Sequence, residues 1–491
     1  MQNISNKVLK NIINPIAEIL SYLFNLSFEK GLFPDCFKVS KVIPNFKSGS
    51  SLDMNNYRPI SIIPSLSKIL EKIVKLRLNS FLDKFNIITK HQFGFLKGRS
   101  TELALIKYFN DIYNNHNKDA QTLSTFIDFS KAFDSINHQI LFDKMEVYGI
   151  RGLPLQWFKS YLSERKQYVQ INRSTSSLNN ISSGVPQGSV LGPLLFNLFI
   201  NDIINSAPNS QFVVYADDTT VYNSSFHIND LFSEMNLTLD KINTWAFNNE
   251  LLINTKKTKF MYFGNKNSNA TEHALKIGSL DIEGVKSFKL LGVVIDERLD
   301  FKMHIDNVIK IINKNLGVIN KIKFYFTKSS LLNLYYSLIF PHLYYCNIIW
   351  GPATKTFINK LYLLQKKFIR IVKNYGDPQN KNKNTADLFN EYKIMTIYEL
   401  NNFKSACFFH NLIQNKFSTL NFNYKINKKN TRLGSNEFNL IPCYTPYSVI
   451  ASRNIFYYGV SQWNQLPDYV KICNTYKHFK FLVKNYLNCL S

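Results

Sequence analysis

Acidic side chains are in short supply: the chain carries 34 Asp and Glu against 59 Lys and Arg, a formal net charge of +25. A field of that sign attracts polyanions, nucleic acid first and an anionic membrane surface second. Cysteine is sparse as well. The six thiols, at 36, 346, 407, 443, 473 and 489, form no CxxC pair and no tight cluster. That spacing excludes a disulfide scaffold and a zinc module, and it reads as reduced thiols inside a cell. His342 and Cys346 stand four residues apart, but no second ligand pair accompanies them, so they make no metal site. No run approaches 18 uninterrupted apolar residues, so no membrane-spanning helix is expected. The opening MQNISNKVLKNII lacks a signal-peptide pattern, and no internal repeat is visible.

What is present is globular. The chain has 491 residues, 45% of them hydrophobic, enough for roughly three domains at about 150 residues each. It holds 27 Tyr and 40 Phe; most fill cores, but aromatics interleaved with bases also suit stacking on unpaired nucleotides. The apolar positions 103, 105, 106, 109, 112 and 113 predict an amphipathic helix over 102–115. KVSKVIPNF and QYVQIN read as strands, STFIDFSKAF as a strand running into a helix, and FKLLGVVID as a strand. Helices are expected at about 228–249 and from 304 along the face Ile305, Val308, Ile309, Ile312, Leu316 and Ile319, with a second helical block over about 329–374. NKNSNATEH (265–273) reads as a loop and GDPQNKNKNTAD (376–387) as a linker to a further, mostly helical region. The whole predicts an α+β half followed by helical modules.

The stretch FVVYADDTTVY (212–222) carries the chemistry. It reads as a hairpin, yet its tip has two carboxylates where Asn-Gly or Asp-Gly is usual. An ordinary acidic turn is one explanation. Asp128 offers another, because it also ends an apolar stretch, 89 residues before Asp217. If the two strands are neighbours in one antiparallel sheet, Asp128, Asp217 and Asp218 converge on one edge. Two unit charges about 4 Å apart repel by roughly 4 kcal/mol at an effective dielectric near 20. Three such groups call for cations, and hard oxygen ligands favour Mg²⁺. A pair of such ions suits nucleotidyl transfer to a primer 3′-hydroxyl.

DFSKAFD (128–134) and YADD (215–218) resemble the metal-binding boxes of reverse transcriptases, and SSGVPQGSVLGPLLFNLFIND (182–202) resembles the loop and helix between them. NNYRPISIIPSLSKILEKIV (55–74), HQFGFLKGRST (91–101), LLINTKKTK (251–259), FKLLGVVID (288–296) and WNQLP (463–467) are similar to segments of non-LTR, LINE-type enzymes of the Jockey and CR1-like branch. The motifs occur in order along nearly the whole chain. The resemblance implies a right-hand polymerase: fingers with an N-terminal extension over 1–120, a palm with an antiparallel sheet over 121–300 with part of the fingers interleaved, a helical thumb over 301–375, and a mostly helical region over 385–491.

By position, the resemblance gives Asp128 and Asp217 the task of bridging two Mg²⁺ ions, with Mn²⁺ as an alternative. Asp218 completes one ion's shell and the Phe129 carbonyl assists. Phe133 matches a steric gate selecting deoxynucleotides, against the plainer reading of a core Phe. Gln187 and Gly188 match the loop touching template and nascent pair, a stretch that also describes a helix-entry turn. Arg58 matches the arginine gripping the triphosphate, against a surface ion pair, and Tyr215 belongs to the substrate side of its box. Lys257 matches a lysine that protonates the leaving pyrophosphate, against a solvated side chain. Lys47 and Arg99 are further cations that face triphosphate or template on this alignment.

The implied activity is RNA-directed DNA polymerisation for a non-LTR retrotransposon, with an RNA template, a DNA primer and dNTPs as partners and no membrane. No endonuclease motif precedes the fingers, so a nuclease would be supplied elsewhere. The implied location is intracellular, in nucleus or cytoplasm, with 356–373 and 425–432 as basic import-signal candidates. A non-catalytic nucleic-acid-binding relic of a truncated element is the competing reading. A viral RNA-dependent RNA polymerase fits less well, because YADD replaces GDD and Phe133 would block ribonucleotides.

Overall fold

The computed structural model describes residues 6–264, 273–376, 383–414, 416–417, 425–426, 430–431, 434–435, 439–442 and 445–490. The loop at 265–272, the linker core at 377–382 and half of 425–432 (427–429 and 432) lie outside the described residues, as do Cys443 and the Cys489 side chain. In chain order come α1 (Asn6–Glu29), β1 (Val39–Phe46), β2 (Tyr57–Ile62), α2 (Ser65–Lys84), α3 (Thr101–His116) and β3 (Gln121–Ile127). Next are α4 (His138–Val147), α5 (Gly152–Leu162), β4 (Lys166–Ile171), the two-residue β5 (Ser174–Thr175) and β6 (Asn179–Asn180), α6 (Gly192–Ile200) and α7 (Ile203–Ser206). The hairpin β7 (Gln211–Tyr215) and β8 (Asp218–Ser225) precedes α8 (Ile228–Asn248), β9 (Lys259–Phe263), β10 (Leu275–Ile277), β11 (Leu280–Gly284), β12 (Ser287–Leu290) and β13 (Val293–Asp296). The rest is mainly helical: α9 (Lys302–Ile322), α10 (Lys328–Leu338), α11 (Phe340–Tyr344), α12 (Asn347–Trp350), α13 (Lys355–Gly376), α14 (Thr385–Glu391), α15 (Ile397–Ile413), α16 (Ile455–Asn464), α17 (Asp468–Lys471) and α18 (Tyr476–Leu490).

Two sheets organise the first half. The central one runs β10-β11-β9-β3-β8-β7, and the other runs β2-β1-β4-β5 with β6 also on β4. β3 is buried along almost its whole length because β8 and β9 flank it and helices cover both faces. Side chains of a strand alternate between faces. Accordingly Phe126 joins the core with α3, while Leu123 and Ile127 join the core with α6 and α8. The predicted α3 residues are all buried, and the Ser100 hydroxyl caps that helix by accepting from Leu103 N–H (3.2 Å). The first of the two cores continues from Phe93 through α9 to Leu487, so the central sheet and the C-terminal helices share one apolar interior.

Two expectations need correction. FKLLGVVID is two strands, β12 and β13, because Leu291 (φ 45°) and Gly292 (φ 85°) turn the chain back in the left-handed region. STFIDFSKAF ends β3 in a turn, with Lys131 at φ 49°, and the helix waits until His138. The helical block expected over 329–374 is present and comprises four helices: Pro341 opens α11, and Cys346 (φ 48°) separates α11 from α12. Among the described residues no helix is long and apolar enough to cross a membrane.

Candidate active site

β3 and β8 are antiparallel neighbours, with Ile127 opposite Thr219 and Phe126 opposite Thr220. Asp128 follows Ile127 and Asp218 precedes Thr219, so both acids lie at the same end of this strand pair. β7 and β8 pair up to Tyr215 and Asp218, leaving Ala216 and Asp217 as a two-residue tip. Asp128 is anchored from the opposite side of its strand. Its N–H donates to Thr258 Oγ1 (3.2 Å), its carbonyl accepts from Asn254 N–H (2.8 Å), and its Oδ2 lies 3.9 Å from Lys257 Nζ. Ser130 N–H donates to Leu252 O (2.8 Å), so Phe129, bridged to Ile253, sits between these two bonds. In an antiparallel bridge of this kind the central residue's own N–H and C=O point away from its partner, here toward the β8 side.

Burial raises the carboxyl of Asp217 above its ordinary value, the charge of Asp128 adds to the rise, and Lys47 and Arg58 oppose it. Asp218 is pushed up to about 6, by burial first and then by Asp217 and Asp128, with Lys47 opposing. Lys47 at the end of β1 and Arg58 on β2 therefore hold positive charge against the acidic edge. Among the described residues no three His, Cys, Asp or Glu side chains are gathered tightly enough to grip a metal as they stand. The donor set nonetheless fits divalent cations: three hard oxygen donors share one edge, and a cation would relieve the repulsion that lifts Asp217 and Asp218.

The loop before α6 is stitched on two sides. Gln187 O accepts from Ser61 N–H on β2 (2.6 Å), and the Gln187 amide donates to both oxygens of Asp134 (2.8 and 2.9 Å). Burial raises Asp134, against the hydrogen bond from Gln187. Gly188 has φ 123°, and a Cβ there would collide with the Ser61 carbonyl, so glycine is required where the loop meets β2. Phe133 is half-buried, its ring stacked 4.4 Å from Phe196 on α6, and its carbonyl accepts from Val185 N–H (2.9 Å). Tyr215 is half-buried with its ring 6.5 Å from that of Phe95. Arg99 turns inward, donating to Thr89 O (2.9 Å) and Gln92 O. It fastens its own loop and does not join the acidic edge.

A family profile described as reverse transcriptase (RNA-dependent DNA polymerase) matches residues 43–295. The chain belongs to the reverse-transcriptase family. It is 31% identical over 381 residues to the RNA-directed DNA polymerase from mobile element jockey of Drosophila melanogaster, covering 75% of this chain and 41% of that protein. It is 28% identical to the probable polymerase from transposon X-element of the same fly, covering 75% and 41%, and 27% identical to that from transposon BS, covering 76% and 42%. The chain thus spans about two fifths of the length of these non-LTR relatives. Telomerase from Candida albicans, in complex with a fragment of telomeric RNA, aligns at 12% identity and a TM-score of 0.35 over 76% of this chain and 65% of that one.

In this reverse transcriptase, sequence reasoning missed residues that shape the site without joining the acidic edge. Glu71 on α2 is fully buried and accepts from Ser67 Oγ (3.0 Å), Val190 N–H (2.7 Å) and Leu191 N–H (3.3 Å), capping the entry to α6. A lone Glu inside the apolar run SKILEKIV was the available signal. Asp134, the second acid of DFSKAFD, orients Gln187, a partnership that the sequence does not disclose. Gln92 stood inside a recognised motif with no role.

Proposed function

We propose that the protein is an RNA-directed DNA polymerase of a non-LTR retrotransposon, extending a DNA primer on an RNA template with deoxynucleoside triphosphates. The observation that carries this reading is the β3–β8 pairing, which ends at Ile127 opposite Thr219 and leaves the Asp128 charge acting on Asp218 and on Asp217 at the adjoining tip. These carboxylates, with the Phe129 carbonyl, would hold two Mg²⁺ ions or Mn²⁺, which when bound acidify the primer 3′-hydroxyl and neutralise charge on the leaving pyrophosphate. Arg58 presents a planar fork of donors suited to the triphosphate, and Lys47 adds charge beside it. Phe133, steadied by Phe196, sets carbon beneath the sugar, where a ribose 2′-hydroxyl would lose its water. The loop at Gln187 and Gly188 lends backbone to the template and nascent pair. The Gln187 amide itself is occupied by Asp134. Lys257, its Nζ 3.9 Å from Asp128 Oδ2, would serve as the proton donor to the departing pyrophosphate, and Tyr215 supports the substrate side of the tip.

On the same reading, 1–120 is fingers with an N-terminal extension, 121–300 is palm with β4 to β6 returning to the fingers, 301–375 is thumb, and 385–491 is a helical C-terminal region. Its substrates place its work inside the cell, in nucleus or cytoplasm. Purified protein given oligo(dT)-primed poly(rA), labelled dTTP and Mg²⁺ should extend the primer, and Asp217→Asn should lose at least about a hundredfold in rate. Primer–template binding with no extension by the parent would replace this reading with that of a non-catalytic binding protein.

A further inference from the structure

The tip that presents Asp217 and Asp218 is held in an unfavourable backbone conformation, and the side chain that holds it lies 124 residues earlier. Ala216 has φ 56°, in the left-handed region that L-residues other than Asn and Asp seldom enter. A hairpin tip with positive φ at this position is ordinarily given glycine. Something else must stabilise it here.

The segment 91–94 lies along β7 as a short parallel addition. Val214 N–H donates to His91 O (2.9 Å), Phe93 N–H donates to Val214 O (2.7 Å), and His91 Nδ1 is 2.9 Å from Phe212 O. This places Gln92, only 1% exposed, directly beneath the tip. Its Oε1 accepts from Gly94 N–H (2.8 Å) and from Ala216 N–H (2.9 Å). Because both partners are donors, only the amide oxygen can serve, which settles the orientation of the side chain. The Nε2 on the other side is buried with no hydrogen-bond partner. A residue that leaves its own donor unsatisfied is kept here for what its oxygen does. The approach is close: a Cβ on Gly94 would come within 2.5 Å of Ala216 N. Asn197, fully buried on α6, donates to Gly94 O (2.8 Å) and ties the clamp to the helix that also carries Phe196.

We propose that Gln92 is a positioning residue for the acidic edge: its side-chain oxygen captures the Ala216 N–H, locks the left-handed tip, and so sets the direction of Asp217 and Asp218. The inference rests on the polymerase reading for its effect on turnover, but its geometric content is independent of that reading. Gln92 touches neither substrate nor metal. It acts through Ala216.

The test compares the parent with Gln92→Leu, which keeps bulk and removes the acceptor, and Gln92→Glu, which keeps an accepting oxygen and gives up only the unpartnered Nε2. Asp217→Asn serves as the inactive control. Gln92→Leu should lower kcat for dTTP addition by about 10- to 100-fold, as expected for a small misplacement of reacting groups. KM for dTTP and affinity for primer–template should stay within about threefold, since neither contact involves this side chain. Gln92→Glu should recover most of the lost kcat, because it restores an accepting oxygen at the same reach from the Ala216 and Gly94 N–H groups. Mn²⁺ affinity read by electron paramagnetic resonance should fall at least about fivefold in Gln92→Leu, because divalent sites demand a fixed array of oxygens. If Gln92→Leu does not fold, Gln92→Asn, which draws the oxygen back by one methylene, carries the same expectations. An active parent whose Gln92→Leu form keeps kcat within about threefold overturns the inference. So does a loss of kcat, KM and melting temperature together that Glu fails to rescue. A parent without polymerase activity overturns the proposed function instead, and Mn²⁺ affinity then decides the positioning role by itself: unchanged affinity overturns it, weakened affinity upholds it.

Discussion

At the scale of single residues, Asp218 makes the site pH-sensitive. Burial and its acidic neighbours raise its folded-state value to about 6, above the unfolded value near 3.9. A raised acid favours the fold in its protonated form, so this contribution is complete below about pH 4 and is lost as pH climbs through about 6. Asp218→Asn, neutral throughout, should therefore melt about 1–3 °C above the parent in EDTA at pH 7.5 and match it near pH 4. The gain is modest because the side chain opens to solvent. Added Mg²⁺ should raise the parent's melting temperature at pH 7.5 and do much less for the variant. Thermal scans in paired buffers check this, and a variant that melts lower than the parent at neutral pH in EDTA refutes it. The three aspartates are legible in the sequence because a carboxylate bounded by apolar strand residues has few tasks other than meeting a cation. Gln92, Glu71 and Asp134 are not legible in that way. Each serves a group far away in the chain, and only the folded register reveals that the group is there.

At the scale of elements, α2 and α6 are coupled through a buried carboxylate. Glu71 accepts from the Val190 and Leu191 N–H groups, which precede the first turn of α6 and have no partner in that helix. Glu71→Ala leaves both donors buried and unmatched and should cost about 2–3 kcal/mol. The loss should be local first: hydrogen exchange at residues 190–195 should accelerate while α8 keeps its protection. Uniform acceleration across the chain would show that the cap has no local role. Elements with one clear period were readable: α3, α8 and α9 fall within a residue or two of the expected ranges. FKLLGVVID failed because its alternation continues through a reversal that only the left-handed Leu291 and Gly292 disclose. The block at 329–374 is helical as expected, and its division into α10 to α13 follows from Pro341 and the left-handed Cys346.

At the scale of the whole molecule, the C-terminal helices are not an appendage. The Lys404 ammonium on α15 pairs with Glu102 on α3 and also donates to Tyr344 O (2.9 Å). Arg453 donates to Leu299 O (2.6 Å), and Asn454 donates to Asn110 (3.1 Å) and Asn114 (3.4 Å), both on α3. With an apolar core running from Phe93 to Leu487, the central sheet and the last helices should unfold together. Lys404→Met, which strands Glu102, should destabilise that common transition by about 3–5 kcal/mol. If hydrogen exchange instead rises only over 397–490 and α3 is unaffected, the C-terminal helices are a separate module. The sequence marked this region by its change to helical character, but its attachment depends on pairs some 300 residues apart, such as Lys404 with Glu102.

The parallel pairing of β1 with β4, Val39 to Lys166 and Val42 to Val169, has a consequence for ancestry. β3 enters the other sheet between those two partners, so the two layers are interlaced like fabric and neither is one contiguous stretch of gene. A chimera with a single crossover between residues 62 and 166 would inherit mismatched halves of the first sheet from two parents. A block of 39–180 keeps the first sheet whole but parts β3 from β8 and β9, so both layers stay matched only when 39–284 travels as one heritable block.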